Sequence, residues 1–390
     1  MKIVFFSTYP PAPCGIGDYT RQLRQGVERQ STDALIEVVA ERHPAVTEEM
    51  DHHVIRGWQH RGVWNEEASA AVIARQPALV HVQHEEALLH QDGRFIQFLE
   101  ALGKSGIARV VTLHSVYGGS IGLNLLWPPT RFHRALAQNA EAIIVHQQEG
   151  GRDTLERQGI APSKVHVIAH GTPVVDCGSR EEARRRLNIP LDAKVALFFG
   201  LIHRKKNVDT VVAAATRIAE RLPGFRLVIA GRTRERNIFD TLYATRLARL
   251  MQPGLAAGWL DLRKGFVPTE AIRDYLGAAD LVLFPHDQRY GSASGVFHLA
   301  LGAGRATLCS SSPKFGEARE IFGRHIPAAF APTRNVDGWT EAMQTLLSNP
   351  TLCREAETLA KAAANSTSWD VIAKQHLELY RQILEPVAAR

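Results

Sequence analysis

Short apolar runs alternate with helical stretches along this chain, and the alternation starts again near its middle. The apolar runs of the first series lie at residues 3–6, 35–39, 79–83, 109–113, 142–145 and 165–168, and those of the second at 195–199, 226–230, 260–266 and 281–284. Strands that are separated by helices are typical of parallel βαβ units. The sequence therefore predicts two α/β domains, each built on a parallel sheet.

A polar stretch that contains proline separates the two series at residues 172–192. It predicts a first domain over residues 1–172, a linker near 172–178 and a second domain over 178–367. The length of 390 residues also favours two domains. Residues 180–187 are expected to form the first helix of the second domain. The tail, 368–390, is amphipathic at helical spacing, and Ser368 is its predicted N-cap.

The composition, 45% hydrophobic and 22% charged, is typical of a soluble globular protein. No apolar stretch approaches the about 18 residues of a membrane span, and no signal peptide pattern opens the chain. The four cysteines are scattered, which argues against a zinc site or a disulfide framework and favours the cytoplasm. The net charge of +6 predicts an anionic partner, but the spread of the basic residues disfavours nucleic acid. Peripheral contact with anionic lipid at the inner face of the membrane stays open.

A small-residue loop joins an apolar strand to a helical segment in residues 281–304, LVLFPHDQRYGSASGVFHLALGAG. A helix that begins after such a loop presents unpaired N–H groups and a positive dipole end to an anion. Ser292 and Ser294 add hydroxyl donors, and Gly295 lets a phosphate approach the backbone. Because a tight turn also needs small residues for steric reasons, the segment gains weight only together with a second one upstream.

That second segment is residues 195–207, VALFFGLIHRKKN, a strand that ends in Gly200 and continues into a cationic cluster. Open α/β sheets bind ligands in the loops at the carboxyl ends of their strands. Arg204 and Lys206 in such a loop, facing a small-residue anion cradle, suit a diphosphate. A basic turn by itself is more often solvated surface. The combination of cluster and cradle predicts the diphosphate site.

Taken in order, these motifs resemble those of retaining GT-B glycosyltransferases of the family 4 or group 1 type. The resemblance also rests on first-domain segments at residues 6–20, 80–85, 111–115 and 167–171. It implies two Rossmann-like, doubly wound domains that face a cleft, with the last helix packed on the first domain. It further implies a cytoplasmic hexosyltransferase of polysaccharide biosynthesis that needs no metal and no cofactor. The donor would be a nucleoside diphosphate sugar and the acceptor a saccharide, a lipid-linked saccharide or a small molecule.

The resemblance also assigns residues to the site. His114, Arg204 and Lys206 would be catalytic. The donor would be bound by Gly15, Gly17, Gly200, Asp287, Ser292, Ala293, Ser294, Gly295, Val296 and Glu317. The acceptor side of the cleft would be lined by His84, Glu85 and His170. Asp18 is expected to be the N-cap of the first helix, and the loop around Gly15 does not match GxGxxG, which disfavours a dinucleotide oxidoreductase.

The chain departs from the family pattern at Gly291 and Leu299, where many relatives carry two glutamates. Asp287, His298 and Glu317 are the candidates for supplying the missing contacts. The departure keeps a second interpretation open, namely a catalytically inactive GT-B protein that binds a nucleotide or a glycan. A sugar-phosphate epimerase of similar architecture would explain the anion cradle but not the first-domain motifs.

Overall fold

The structure is a computed structural model that describes residues 1–44, 46, 49, 51–59, 63–118, 128–234, 237–265, 267, 269–288 and 290–385. The chain divides into two compact units. Unit 1 comprises Met1–Gly171, Tyr290–Ala293 and Thr367–Arg390, and unit 2 comprises Thr172–Arg289 and Ser294–Ser366. The predicted strand at 260–266 ends on Phe266, and the predicted helix at 368–390 ends on residues 386–390. These end residues lie outside the described residues.

The secondary structure alternates as the sequence predicts. The strands are β1 (Lys2–Ser7), β2 (Leu35–Glu41), β3 (Val54–Trp58), β4 (Leu79–His84), β5 (Ala108–Leu113), β6 (Ser115–Val116), β7 (Ala142–Val145), β8 (Val165–Val167), β9 (Lys194–Phe199), β10 (Phe225–Gly231), β11 (Leu260–Lys264), β12 (Leu281–Phe284), β13 (Gly291–Ser292), β14 (Thr307–Ser310) and β15 (Phe330–Ala331). The helices are α1 (Gly15–Gln30), α2 (Trp64–Ile73), α3 (Glu86–Leu89), α4 (Gly93–Lys104), α5 (Pro129–Asn139), α6 (Asp153–Arg157), α7 (Arg180–Leu187), α8 (Val208–Ala219), α9 (Ile238–Ala256), α10 (Thr269–Ala278), α11 (Gly295–Gly302), α12 (Gly316–Phe322), α13 (Val336–Ser348), α14 (Pro350–Ser366) and α15 (Trp369–Leu384).

Unit 1 contains a parallel sheet with the strand order β3-β2-β1-β4-β5-β7-β8. The order reverses between β1 and β4, which is the switch point where doubly wound sheets bind ligands. The central strands are buried on both faces, as continuous apolar runs require. Strand β3 was not predicted, because its sequence VIRGW interrupts the apolar pattern with arginine and glycine.

The last helix, α15, packs on α1 within unit 1. A β-carbon added to Gly26 of α1 would lie 2.9 Å from the Ala373 Cβ, so only glycine allows this approach. The Tyr380 hydroxyl on α15 lies 2.6 Å from the His81 Nδ1 on β4. The N-cap prediction for Ser368 is confirmed, since its side chain accepts a hydrogen bond from the Val371 N–H.

The prediction that Asp18 caps the first helix is wrong. Helix α1 begins at Gly15, and its N-cap is Cys14. Asp18 therefore lies in the first turn, where its carboxylate pairs with Arg21 at 3.0 Å. The small residues around Gly15 belong to the helix itself, which the sequence alone did not indicate.

Unit 2 contains a second parallel sheet, with the strand order β11-β10-β9-β12-β14-β15. Its order reverses between β9 and β12. Gly231, at the end of β10, packs directly against the Gly200 carbonyl, and an added β-carbon would overlap that oxygen. Helix α7 has the predicted bounds. Strand β14 was missed because its sequence, TLCS, has only two consecutive apolar residues, and β15 was missed because it spans only two residues. The predicted fold class, two α/β domains with doubly wound parallel sheets, is confirmed.

Candidate functional site

The cationic turn of unit 2 follows β9 at the switch point of its sheet. Arg204–Lys206 forms a 3-10 turn that ends at Asn207, whose φ of 51° places it in the left-handed region. Gly200 precedes the turn with a φ of 116°, a conformation that favours glycine. A β-carbon added to Gly200 would lie 3.6 Å from the Val296 Cγ1 in the first turn of α11. The loop after β9 therefore lies beside the start of α11, as the sequence predicts.

The Lys206 ammonium contacts an imidazole. Its Nζ lies 2.9 Å from the His286 Nε2, and burial lowers the pKa of Lys206 to about 8. His286 is only 1% exposed, and its ring stacks on Phe315 at 5.2 Å between centroids. Burial, and then the nearby Lys206 and Lys314, lower the pKa of His286 well below its ordinary value. His286 is thus neutral and accepts a hydrogen bond from Lys206, because an ammonium can only donate.

Backbone contacts hold the two loops of this site together. The Asp287 N–H donates to the Lys205 carbonyl at 2.9 Å. The Asp287 carboxylate pairs with Arg334 at 2.8 Å. Asp287 therefore supports the loop through its backbone, while its side chain is engaged by an arginine.

The start of α11 supplies a helix N-terminus in the same unit. Ser294 is its N-cap, with a buried side chain that makes no capping hydrogen bond to the helix. Gly295 is exposed and Val296 is half-buried. The first-turn N–H groups of a helix have no acceptors within it, so they are available to an anion. Ser294, Gly295 and Val296 are thus placed as an anion cradle would require.

Ser292 and Ala293, by contrast, belong to unit 1. Ser292 pairs with Ser115, and Gly291 with Val116, in the antiparallel ladder of β13 and β6. An added β-carbon on Gly291 would overlap the Gly150 carbonyl, so this position requires glycine for close backbone packing. The stretch that the sequence predicted as one cradle is therefore divided between the two units. A two-residue ladder between distant segments leaves no periodic signal in the sequence.

Glu317 lies in the first turn of α12, where its carboxylate is engaged. Its Oε2 is 3.1 Å from the His298 Nε2, and the His298 Nδ1 is 2.7 Å from the Thr172 hydroxyl. His298 is fully buried. Of the three candidates for replacing the missing glutamates, Asp287 pairs with an arginine, and His298 and Glu317 pair with each other.

His114 belongs to a cluster of polar rings in unit 1. Its Nε2 is 2.9 Å from the Gln83 Oε1, and its Nδ1 is 3.2 Å from the His146 Nε2. The His146 Nδ1 donates to the Ile168 carbonyl at 3.0 Å. Tyr19 packs edge-on against His114 at 4.7 Å between centroids. Burial, and then His146, lower the pKa of His114 well below its ordinary value, so the His114 ring is neutral.

The remaining predicted residues of unit 1 have different surroundings. Gly15 has open space around an added β-carbon, whereas at Gly17 that atom would lie 3.2 Å from the Tyr9 backbone. Glu85 accepts a hydrogen bond from the Ser115 hydroxyl at 2.8 Å. His170 is half-buried, and its ring packs edge-on against Tyr19 at 5.1 Å.

His84 lies in the hydrophobic core. Its side chain is fully buried, with Phe95 and Phe132 at 4.7 and 5.2 Å between ring centroids. Burial lowers the pKa of His84 to about 3. We therefore do not assign it to an acceptor pocket, because a ring without exposed surface offers nothing to a ligand.

Comparisons with known proteins agree with this architecture. Residues 15–175 match the family described as Glycosyltransferase Family 4, and residues 193–349 match the one described as Glycosyl transferases group 1. Together the two matches take in most of both units. The chain belongs to the glycosyltransferases with the GT-B fold.

Individual relatives are more distant. The chain is 27% identical over 265 residues to the D-inositol 3-phosphate glycosyltransferase of Mycolicibacterium paratuberculosis; the match takes in 66% of this chain and 56% of that protein's length. Sucrose-phosphate synthase from Thermosynechococcus elongatus superposes with a TM-score of 0.75 at 18% identity, covering 98% of this chain and 99% of that one. HepE from Anabaena, solved with UDP-glucose, superposes with a TM-score of 0.74 at 15% identity, covering 98% and 100%. The structural similarities show the fold.

Sequence reasoning missed His286 and His146, which contact two of the predicted catalytic residues. A signal for both was present. His286 follows β12 and His146 follows β7, so each stands at the carboxyl end of a parallel strand, as His114 does after β5. A search for polar residues at the end of every predicted strand would have identified these histidines as candidates for the site.

Proposed function

We propose that this GT-B protein is a retaining glycosyltransferase that moves a sugar from a nucleoside diphosphate sugar to an acceptor hydroxyl. The observation that carries the proposal is the position of Lys206. It stands at the switch point of the unit 2 sheet, its ammonium is held by a neutral imidazole, and its loop adjoins the start of α11. A cation that is held by a neutral imidazole and, among the described residues, is paired with no carboxylate is suited to a diphosphate when it lies next to a helix N-terminus.

Lys206 and Arg204 would stabilise the leaving diphosphate. Negative charge builds up on the leaving phosphate as the glycosidic bond breaks, and fixed cations lower the barrier most where charge develops. The N–H groups at Ser294, Gly295 and Val296 would bind the same group. With these donors in place we propose that transfer needs neither metal nor cofactor, and that the sugar keeps its anomeric configuration.

The acceptor is proposed to be a saccharide or a lipid-linked saccharide. The relatives named as D-inositol 3-phosphate glycosyltransferases and the HepE complex with UDP-glucose support a sugar-type acceptor and a nucleotide-sugar donor. The neutral His114 ring and the Gln83 amide beside it support a hydroxyl-bearing acceptor, because such groups can bind hydroxyls without requiring a charge on the ligand.

We further propose a cytoplasmic protein that touches the inner face of the membrane through α9. Ile238, Phe239 and Leu242 of this helix are 63%, 62% and 59% exposed, and Arg246 and Arg249 follow on the same exposed face. Apolar side chains bordered by arginines favour an anionic bilayer surface. Among the described residues, no helix combines the length and the apolar character needed to cross a bilayer.

Two experiments test these proposals. Calorimetric titration with UDP-, GDP- and ADP-sugars, followed by transfer and hydrolysis assays with and without EDTA, should give binding and metal-independent turnover, with a first-formed product of unchanged anomeric configuration by NMR. Binding without turnover would favour the inactive binding protein, and absence of binding would overturn the proposal. Phe239→Asp should reduce co-sedimentation with phosphatidylglycerol vesicles relative to the matched control Val174→Asp, an exposed valine of the same unit.

A further inference from the structure

His286 occupies an unusual place for a histidine, because it is buried next to a lysine. The Lys206 Nζ donates to the His286 Nε2, so the ring proton must sit on Nδ1. The ring is fixed from two sides, by Phe315 stacked on it and by Phe284 edge-on at 6.2 Å. The Ser310 hydroxyl donates to the His286 carbonyl at 2.5 Å, which holds the backbone as well. Every one of these contacts restricts where Nε2 can point.

We propose that His286 is a positioning residue for Lys206: its neutral Nε2 fixes the direction of the ammonium while leaving the positive charge uncompensated for an anionic ligand. The inference rests on the proposed function, in which that ligand is a nucleoside diphosphate. A carboxylate in the same place would also hold the ammonium, but it would cancel the charge and compete with the ligand. An apolar residue would leave the charge intact but the ammonium undirected.

The surroundings keep His286 neutral. Lys206, Lys314 and His203 are the titratable groups that face it, and both lysines disfavour a second positive charge on the ring. His203, in the same loop as Lys206, also has a pKa lowered to about 4 by burial and by that lysine. The described carboxylates nearest in sequence are engaged elsewhere, Asp287 by Arg334 and Glu317 by His298. The site therefore carries the positive charge of Lys206, and the imidazole that holds this lysine is neutral.

A measurable consequence concerns protons. Burial lowers the pKa of Lys206 to about 8, so a fraction of the protein carries a neutral lysine at that pH. A bound diphosphate favours the charged form, since an opposite charge nearby raises the pKa of an amine. Binding should therefore take up a proton above about pH 8, and affinity should fall as the pH rises further.

The test uses UDP, without a sugar, as the probe. Titrations between about pH 6.5 and 9.5, in buffers of different ionisation enthalpy, measure affinity and proton uptake together. His286→Asn, whose amide oxygen can accept from Lys206, should keep the affinity within about threefold and keep the alkaline decline. His286→Asp should weaken UDP binding by about tenfold or more at neutral pH, and the fall of affinity at alkaline pH should move to higher pH. His286→Phe should weaken UDP binding by about tenfold, and the affinity should still fall at alkaline pH.

Lys205→Ala is the matched control, because Lys205 is an exposed lysine in the same turn and should leave both measurements unchanged. Equal affinity and an equal alkaline decline in wild type, His286→Asp and His286→Phe would overturn the inference. A separate measurement needs no ligand: the pH dependence of Lys206 acetylation by acetic anhydride should shift upward in His286→Asp alone. If acetylation shifts as expected but wild type binds no UDP, the proposed function fails while the positioning role holds. If acetylation does not shift, the positioning role fails.

Discussion

The candidate sites of the two units are built from similar residues but differ in charge. In unit 2 a histidine holds a lysine, Lys206, and the imidazole does not cancel the charge of the ammonium. In unit 1 a histidine, His114, is hydrogen-bonded to a glutamine and to a second histidine, and the ring is kept neutral by burial. Both lie at the carboxyl ends of parallel strands, where such sheets bind ligands. This difference is the reason that we propose an anion site in unit 2 and a site for neutral hydroxyls in unit 1.

The contrast also shows how burial acts on different groups. Burial disfavours the charged form of any group, so it drives a histidine to neutrality while a lysine, with a higher ordinary pKa, still carries most of its charge at neutral pH. The same physical effect therefore yields a neutral site in one unit and a cationic site in the other. The predictions below test this contrast, from the largest expected effect to the smallest.

The largest effect should be the loss of unit 1 stability in acid. Burial lowers the pKa of these unit 1 histidines: His81, His84, His114, His133 and His376. Because the unfolded chain then binds more protons than the folded one, their stabilising contribution is complete above about pH 6.5 and is lost as the pH falls through the lowered pKa values, which are about 4 for His133 and His376 and about 3 for His84. Each histidine loses about 1.4 kcal/mol per pH unit between its two pKa values.

Unit 2 has two such histidines among its described residues, His203 and His286. Limited proteolysis followed by mass spectrometry at pH 7 and pH 5 should therefore show new cleavage in unit 1 first. Earlier cleavage within unit 2 would contradict the prediction that the buried neutral histidines make unit 1 the more acid-sensitive of the two.

Lys206→Ala should have the next largest effect, because it removes the ammonium that His286 holds by a hydrogen bond. We expect transfer to fall about 100- to 1000-fold and UDP affinity about tenfold or more. Lys205→Ala is again the control, and its kcat/KM should stay near that of wild type. Unchanged UDP affinity in Lys206→Ala would remove the basis for an anion site in unit 2.

Gly295→Val should weaken donor binding by about tenfold, because a branched side chain would occupy the space that a phosphate needs at the start of α11. The thermal midpoint should stay near that of wild type, since Gly295 is exposed. Gly231→Ala provides the contrasting result, as its added β-carbon would overlap the Gly200 carbonyl and should prevent folding. Normal donor binding by a folded Gly295→Val protein would show that the loop before α11 is a turn that does not bind the phosphate.

The smallest effect is expected for His84→Leu. His84 is buried between Phe95 and Phe132, so an apolar residue of similar size should be accommodated there. The KM for the acceptor should change by less than about twofold. A large change in this KM with unchanged thermal stability would return His84 to the acceptor site.

The alternation of apolar runs and helical stretches was sufficient to predict two parallel α/β domains, because buried strands need continuous apolar residues. Strand β3 was not predicted because arginine and glycine interrupt its apolar pattern. Strand β14 has only two consecutive apolar residues, and β15 spans only two residues, so neither gives a recognisable apolar run. Capping was predictable only where a side chain with the right geometry stood at the boundary. Ser368 fulfils that condition, whereas Cys14, the N-cap of α1, makes no side-chain capping hydrogen bond.

The amino-acid sequence by itself determined the strands with continuous apolar runs, the basic turn at Arg204 and Lys206 and the small residues that begin α11, since each depends on neighbours in the chain. Tertiary structure decided the partners. Only the order of strands in the sheet brings His286 to Lys206, and only the ladder of β13 and β6 places Ser292 in unit 1. Contacts between residues distant in sequence depend on how the elements pack in the folded chain. The hydrophobic periodicity of the sequence carries information only about residues within one helix or one strand.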